Sequence, residues 1–395
     1  MEMFDIIVVG AGPAGLGFVR SLEGSGLKVA IVERLSEAVL ADPPEDGRDI
    51  ALTHASEAIM EKLGMWRHIP EAACGMIKDA KVVNGRSDYA LHFASAGSGK
   101  GYLGRIVPNH LIRRAAYLQV KDLPDVTLIC DSAVEAVQTG QVTLSDGRAL
   151  GASLVVAADS RFSETRRKMG IGAEMEDFGR VVIVCEMSHE LPHNGVATEC
   201  FHYEQTLAIL PMHGEVSSVV VTLASDKAEA VMAMPDAAFA ADIQARFGNR
   251  LGKMQLLGKR VAYPLVGVFA KRFVAPRFAL VGDAAVGMHP VTAHGYNLGL
   301  TGGALLADAV KQAAAEGKDI GDIRGLLPYE RAHRKVARPL YLGTNALVKL
   351  YTDTRLPAKI LRGAALRLGN VLPPVKARIV GQLTQAVAGQ GAQSR

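Results

Sequence analysis

Three separated stretches of the chain carry residue types and spacings suited to gripping a phosphate-bearing cofactor. The first is Gly10-Ala11-Gly12-Pro13-Ala14-Gly15, set between the β-branched run Phe4–Val9 and an apolar, helix-compatible stretch from Leu16 to Leu22. Gly10 permits a tight turn, Gly12 lets the backbone approach a pyrophosphate, and Gly15 allows helix and strand to pack closely. The helix start directs N–H groups and partial positive charge at phosphates. Pro13 suits the first helical turn, where no N–H is needed. Lys28–Glu33 then reads as a second strand ending in an acid. Glu33 is placed to accept both hydroxyls of an adenosine ribose. A lone G-x-G-x-x-G is weak evidence, but here strand, glycines, helix, second strand and acid follow in order. Glu33 with Arg34 behind it is compatible with FAD or NAD, so this motif leaves the dinucleotide open.

The other two stretches bear on that choice. Ala149–Asp159 is a buried-type strand ending in Asp159, followed by Ser160 and Arg161. Val274–Asp283 is an apolar strand ending in Gly282-Asp283, and Ala284–Gly299 leads into a small-residue helix from Leu300 to Val310. An NAD dehydrogenase has no use for a second acid-ended strand so late in the chain. A long cofactor such as FAD does, because it is gripped at the adenosine, the ribityl chain and the ring.

With these motifs the chain resembles the class A flavin monooxygenases of the para-hydroxybenzoate hydroxylase type, and most closely their ubiquinone-biosynthesis hydroxylase branch. The resemblance covers nearly the whole chain. Its motifs are the G-x-G-x-x-G, Gly47–Leu63 (GRDIALTHASEAIMEKL), the Asp-Gly-like Asp159-Ser160, Gly282-Asp283 and, most specific, the H-P-x-x-x-x-G-x-N-L-G from His289 to Gly299. Within the branch the chain is similar to demethoxyubiquinol hydroxylases. The resemblance implies that Asp283 holds the ribityl chain of FAD and that the backbone around Pro290 lies beside the reactive edge of the isoalloxazine. Gly295, Asn297 and Leu298 would offer backbone N–H groups to the N1–O2 side of the ring. Arg48 and Asn109 match positions near the pyrophosphate and adenine, and Val134 a backbone contact to adenine. The implied activity uses NAD(P)H to reduce the flavin and O2 to form a C4a-hydroperoxide, which hydroxylates an electron-rich polyprenyl phenol or quinol. No protein side chain is assigned as catalytic, since the flavin itself carries the chemistry.

Two positions depart from the family pattern. Ser160 stands where the family has glycine, at a pair linked to FAD and nicotinamide contacts. Ala293-His294 stands where the family has Gly-Gln. Asp159 also reads as a polar strand end, though its company favours a role in the site. His289 reads as a structural histidine at least as well as a chemical one, and His54, His202 and His213 as ordinary surface or pocket residues. A reductase or oxidase of the same fold, or a non-catalytic FAD-holding lipid-binding subunit, are the competing readings.

Bulk properties narrow the rest. The 395 residues include 49% hydrophobic and 21% charged types, an ordinary globular composition. A formal charge of +4 gives no argument for nucleic acid. The positive balance sits in the C-terminal tail, where Arg331, Arg334, Lys335, Arg338, Lys349 and the bases that follow face only Asp353. That tail reads equally as a solvated basic face and as a contact for anionic lipid or a biosynthetic complex. Cys74, Cys130, Cys185 and Cys200 show no zinc spacing and read as reduced, buried thiols. Glu2 and Asp5 in place of basic leader residues argue against a signal peptide, and no apolar run is long enough to span a bilayer. The expected location is cytoplasmic, with peripheral contact at the inner membrane face as an open addition.

These readings predict an α/β fold: a Rossmann-like FAD-binding domain of the glutathione-reductase βαβ type, with an inserted mixed β-sheet substrate domain and C-terminal helices. Residues 1–72, 101–175 and 275–345 would form the FAD-binding domain, 73–100 and 176–274 the substrate domain, and 346–395 a basic helical region. Within the insertions, Lys81–Phe93 reads as a hairpin turning at Asn84-Gly85. Val181–Met187, Thr198–His202, Leu207–Met212 and Val216–Leu223 read as strands and Pro235–Phe247 as a helix.

Overall fold

The computed structural model describes residues 1–84, 90–95, 101–202, 205–289 and 294–352. From the N-terminus, β1 (Glu2–Val9), α1 (Pro13–Ser21) and β2 (Val29–Val32) form the first βαβ unit. They are followed by α2 (Glu37–Ala41), β3 (Asp49–Leu52), α3 (His54–Lys62), β4 (Gly75–Ile77), β5 (Asp79–Asn84), β6 (Ala90–Ala94), β7 (Gly104–Pro108) and α4 (Asn109–Leu118). Next come β8 (Val126–Ile129), β9 (Val134–Gln138), β10 (Gln141–Leu144), β11 (Ala149–Ala157), α5 (Glu164–Lys168), β12 (Ala173–His189), β13 (Val196–His202), β14 (Gln205–Pro211) and β15 (Val216–Ala224). The chain continues through α6 (Ser225–Met232), α7 (Asp236–Arg246), β16 (Met254–Ala270), β17 (Val274–Ala275), β18 (Phe278–Leu280), β19 (Val286–Gly287), α8 (Gly295–Ala315) and α9 (Ile323–Thr352).

The run FDIIVV sits at the centre of the first sheet. Its order is β17-β18-β11-β1-β2-β8, with β9 and β10 leading off β11 as an antiparallel ribbon. β18, β11, β1, β2 and β8 run parallel to one another, and β17 pairs antiparallel with β18. Ile6, Ile7, Val8 and Ile31 are fully buried, as a parallel sheet covered on both faces requires. α1 packs against α4 and α8, and α8 against α9.

The second sheet has the order β19-β16-β12-β15-β14-β13-β5-β6 and is antiparallel apart from the β13–β5 pair. Side chains alternate between its faces. Ile183, Cys185, Cys200, Leu207, Val219 and Val221 form one core with Phe239 and Ile243 of α7. The opposite face, with Val182, Val184, Val220 and Val261, turns toward the small β3-β7-β4 sheet. A Cβ added to Gly47, just before β3, would lie 3.3 Å from Val184 and Val261 side chains. The Tyr263 hydroxyl donates to the Asp46 carbonyl at 2.6 Å.

The four expected strands of the larger insertion fall on β12 to β15, with Met212 one residue past the end of β14, and the expected alanine-rich helix is α7. β16 was not anticipated. Its 17 residues contain Gly258, Pro264 and Gly267 and lack clean alternation, and its pairing with β12 shifts register twice. β12 likewise extends to 17 residues, so each of the two spans roughly 55 Å and links the second sheet to the neighbourhood of the first. In the expected hairpin, β5 and β6 pair from Asp79↔Ala94 to Val83↔Ala90. The connection is therefore longer than an Asn84-Gly85 turn, and Gly85 lies outside the described residues.

Part of the basic face of α9 is engaged by the protein itself, while Arg331 and Lys335 are exposed. Arg334 donates to the carbonyls of Ala270 and Lys271 at 3.0 Å and stacks over Phe269 and Phe273. Arg338 pairs with Glu174 at 2.7 Å and Lys349 with Glu176 at 3.0 Å. For these residues packing accounts for the charge. The tail from 353 to 395 lies outside the described residues.

The glycines of the first turn predict a contrast. A Cβ at Gly15 would run into the Gly10 carbonyl oxygen, whereas one at Gly12 would meet nothing within 4 Å. Gly15→Ala should therefore destabilise the fold by about 1–3 kcal/mol, and Gly12→Ala by less than about 1 kcal/mol. Urea denaturation of the flavin-stripped protein measures both, and equal losses would contradict the packing described.

Candidate active site

The β1–α1 turn forms an anion cradle. Gly10 has φ +104°, and a Cβ there would lie 2.7 Å from the Ala158 carbonyl oxygen. Gly10 and Gly15 thus allow close packing, while Gly12 faces open space directly before the helix start, with Pro13 as the first helical residue. Glu33 closes the cradle from the end of β2. Its Oε2 accepts from Ala11 N–H at 2.7 Å and its Oε1 from Leu35 N–H at 2.9 Å. A carboxylate has about four acceptor sites, so capacity remains for a ribose. Arg34 beside it is exposed. Ser132 N–H donates to the Glu33 carbonyl at 2.9 Å, which brings the start of β9 alongside. There the Val134 carbonyl accepts from Lys168 Nζ at 2.6 Å.

Arg48 and Asn109 are joined by a residue that sequence reading missed. Asp46 Oδ2 accepts from Arg48 Nη2 at 2.5 Å and from Asn109 Nδ2 at 2.7 Å. Asn109 N–H also donates to the Arg48 carbonyl at 2.8 Å. Burial pushes the Asp46 carboxyl up, but hydrogen bonds and charge from Arg48, with the Asn109 bond, outweigh it and hold the group below its ordinary 3.8. No motif marks Asp46, because its partner Asn109 is 63 residues away.

The two acid-ended strands, β11 and β18, lie side by side. Asp159 turns its carboxylate into its own loop, accepting from the Ser163 hydroxyl and from Thr165 N–H at 3.0 Å. That is the strand-end behaviour, and it organises the turn leading to α5. Ser160 has φ +83°, a left-handed conformation that glycine adopts freely and that costs another residue about 1 kcal/mol or more. The serine therefore occupies a backbone position suited to the family's glycine. Arg161 donates to Asp283 Oδ2 at 3.2 Å and to the Val266 carbonyl at 3.1 Å. Asp283 thus has a protein partner that sequence reading did not assign.

Small residues bring the late motif against the first. Gly282 has φ +60°, and a Cβ there would lie 2.8 Å from the Ala14 side chain. A Cβ at Gly299 would lie 3.1 Å from Gly282 Cα, and one at Gly295 would lie 4.0 Å from Asp283 Oδ1. α8 begins at Gly295 with His294 as its N-cap. Leu298 N–H does not face outward as expected: it closes the first helical turn onto the His294 carbonyl at 2.9 Å. The amides of Gly295 and Tyr296, ahead of that bond, have no acceptor within the helix. The Asn297 side chain acts as a strut, accepting from Thr53 N–H at 3.0 Å and donating to the Ala51 carbonyl at 2.8 Å. It locks the end of β3 to the start of α8. Pro290 and Ala293 lie outside the described residues.

Of the histidines, His289 packs edge-on against Phe178 at 5.1 Å. Burial, with the charges of Arg161 and Arg180, pushes it down to about 4, so it is neutral at neutral pH. His54 is buried against Tyr102, not on the surface. Among the described residues no group of His, Cys, Asp and Glu is placed to hold a metal ion. One further acid escaped sequence reading: Asp49, which reaches from β3 toward the second sheet and is hydrogen-bonded by Ser218.

Solved structures share this fold. p-Nitrophenol 4-monooxygenase PnpA from Pseudomonas putida superposes with a TM-score of 0.75 at 19% identity, covering 97% of this chain and 99% of its own. OxyS anhydrotetracycline hydroxylase from Streptomyces rimosus gives 0.72 at 19% identity, over 100% and 78%. The family model described as an FAD binding domain matches residues 3–341, and the chain belongs to that family. Ubiquinone hydroxylase UbiM of Neisseria meningitidis is 49% identical over 96% of this chain and 84% of its own length. Ubiquinone hydroxylase UbiL of Rhodospirillum rubrum is 35% identical over 93% and 87%.

The Asp46 hub predicts a pH signature. A carboxyl held low in the fold stabilises it above the ordinary value near 3.8, and that stability is lost as pH falls through the folded value. Asp46→Asn should cost about 1–2 kcal/mol at pH 7, and the gap to wild type should narrow as pH drops below 4. Denaturation midpoints measured across that range check it; a gap independent of pH would contradict the assignment.

Proposed function

We propose that this protein is an FAD-dependent monooxygenase that hydroxylates the ring of a ubiquinone precursor, a demethoxyubiquinol-type polyprenyl phenol or quinol. The observation that carries the reading is the meeting of Ala14, Gly282 and Gly299, which joins the anion cradle, the Asp283 turn and the start of α8 into one continuous wall. The residues along that wall fit FAD. The turn Gly10, Gly12, Pro13, Ala14 and Gly15 would take the pyrophosphate, with Arg48 and Asn109 beside it. Glu33, Arg34 and Val134 would face the adenosine, with Asp159 shaping the adjoining turn. Gly282 and Asp283 would hold the ribityl chain, and Gly295, Asn297 and Leu298 would flank the ring. The likeness to ubiquinone hydroxylases over almost the full chain supports the substrate class.

When bound and reduced by NAD(P)H, FAD activates O2 for transfer to an aromatic ring. The chain's own task is position and dryness. The face of the second sheet toward β3 carries Val182, Val184, Val220, Val261 and Leu265 beside the polar pair Ser218 and Glu186, and its apolar part would help to keep water from the reacting atoms. The second sheet, made of β5, β6, β12 to β16 and β19, is proposed as the body of the substrate domain. No described helix is long and apolar enough to cross a membrane. Contact with anionic lipid or a biosynthetic complex is proposed only for the basic residues beyond 352.

The test is oxygen labelling. Product formed under ¹⁸O₂ should carry one labelled oxygen, and the substrate should stimulate NAD(P)H oxidation. Label drawn from water, or none, contradicts the monooxygenase. Asp283→Ala should lose most of its flavin as read from absorbance per chain; full occupancy removes Asp283 from the site.

A further inference from the structure

Asp49 opens β3, directly after Arg48, and pairs with Pro108 of β7. Its side chain leaves that small sheet and reaches β15, where the Ser218 hydroxyl hydrogen-bonds it. Ser218 is paired with Glu186 of β12, and directly opposed residues stand on the same face of a sheet. By alternation that face is also the one carrying Val184 and Val220. The carboxyl therefore stands where β3 meets the apolar face. Ala51, two residues on and roughly 7 Å along the strand, gives its carbonyl to Asn297 at the start of α8. Asp49 thus stands on the strand that ties the start of α8 to the second sheet.

Asp49 Oδ2 is buried and has no hydrogen-bond partner among the described residues. A buried carboxyl oxygen without a partner is costly to the fold, and a substrate hydroxyl brought against it would satisfy it. The groups around it are Glu186 from β12, Ser218 from β15, and Glu45 and Asp46 from the loop before β3. β7 presents only Pro108 at the paired position, and the neighbouring Arg48 is bound to Asp46. Burial first, then the negative charges of Glu186, Asp46 and Glu45, outweigh the Ser218 hydrogen bond and push Asp49 up to about 7.

We infer that Asp49 is the catalytic residue that takes the proton from the ring hydroxyl of the substrate. The inference rests on the hydroxylase reading above. The substrate O–H bond breaks, its proton bonds to Asp49 Oδ2, and the electron pair left on oxygen spreads into the ring. Electron density rises at the carbons ortho and para to it, where a C–O bond would form to one oxygen atom of the O2 that reduced FAD activates, as the O–O bond breaks and the other oxygen leaves with the electron pair and ends as water. As the ring regains aromaticity, the carbon-bound proton leaves to water and Asp49 returns its own proton to the ring oxygen. A carboxyl near neutrality suits this work better than an ordinary one at about 4, because it stands nearer to a phenol at about 10.

The experiment uses the FAD-loaded full chain and a demethoxyubiquinol analogue with a short isoprenyl chain, with product measured between pH 5.5 and 9. Wild-type kcat should fall on the acid side with a midpoint near 7. Asp49→Asn should lower kcat about 100-fold or more, lose that acid limb, and recover with rising pH as the analogue ionises in solution, while FAD content stays at the wild-type level. Glu186→Gln should move the limb to lower pH and Ser218→Ala to higher pH, opposite shifts that a structural carboxyl would not give. These two variants decide the matter even where Asp49→Asn does not fold. An Asp49→Asn enzyme with wild-type kcat and an unmoved limb overturns the inference, as does a limb that neither neighbour variant moves. Wild-type protein that yields no hydroxylated analogue overturns the hydroxylase reading itself, a failure visible before any variant is compared.

Discussion

The arrangement depends on a steric constraint: three backbones approach one another where side chains are nearly absent. Ala14 on the first turn of α1, Gly282 after β18 and Gly299 on α8 touch at distances that larger residues would forbid. Around that contact the cradle at Gly12, the carboxylate of Asp283 and the start of α8 fall into line. Dispersion and burial hold the sheets behind it, but the absence of atoms here is what lets segments nearly 300 residues apart act as one wall.

A second layer of polar ties fixes the wall's orientation. Glu33 holds the glycine turn through Ala11, Asp46 joins Arg48 to Asn109, Arg161 holds Asp283, and Asn297 fastens β3 to α8. Each uses a side chain to satisfy groups within the protein before any ligand enters. A cofactor that docks on such a frame meets donors and acceptors already placed, so little reorganisation opposes binding.

Sequence legibility follows from the range of each interaction. The glycine turn, the acid-ended strands and the alternating strands β13 to β15 were readable because period and turn chemistry are local. β16 was not, since glycines and a proline break its alternation and its pairing with β12 is set by tertiary contact. Asp46 and Arg161 were invisible as partners because they act across 63 and 122 residues. Leu298 was misjudged because counting from a motif does not say where the first helical hydrogen bond closes. Asp49 sat inside a quoted motif, yet only the fold shows that its carboxyl leaves β3 for the second sheet.

The central claim is that these segments converge on a single FAD. Titration of flavin-stripped full-length protein with FAD, followed by quenching of flavin fluorescence, measures it directly. Saturation at one FAD per chain with a yellow product is the result this structure predicts. A folded chain that remains colourless in excess FAD would contradict it.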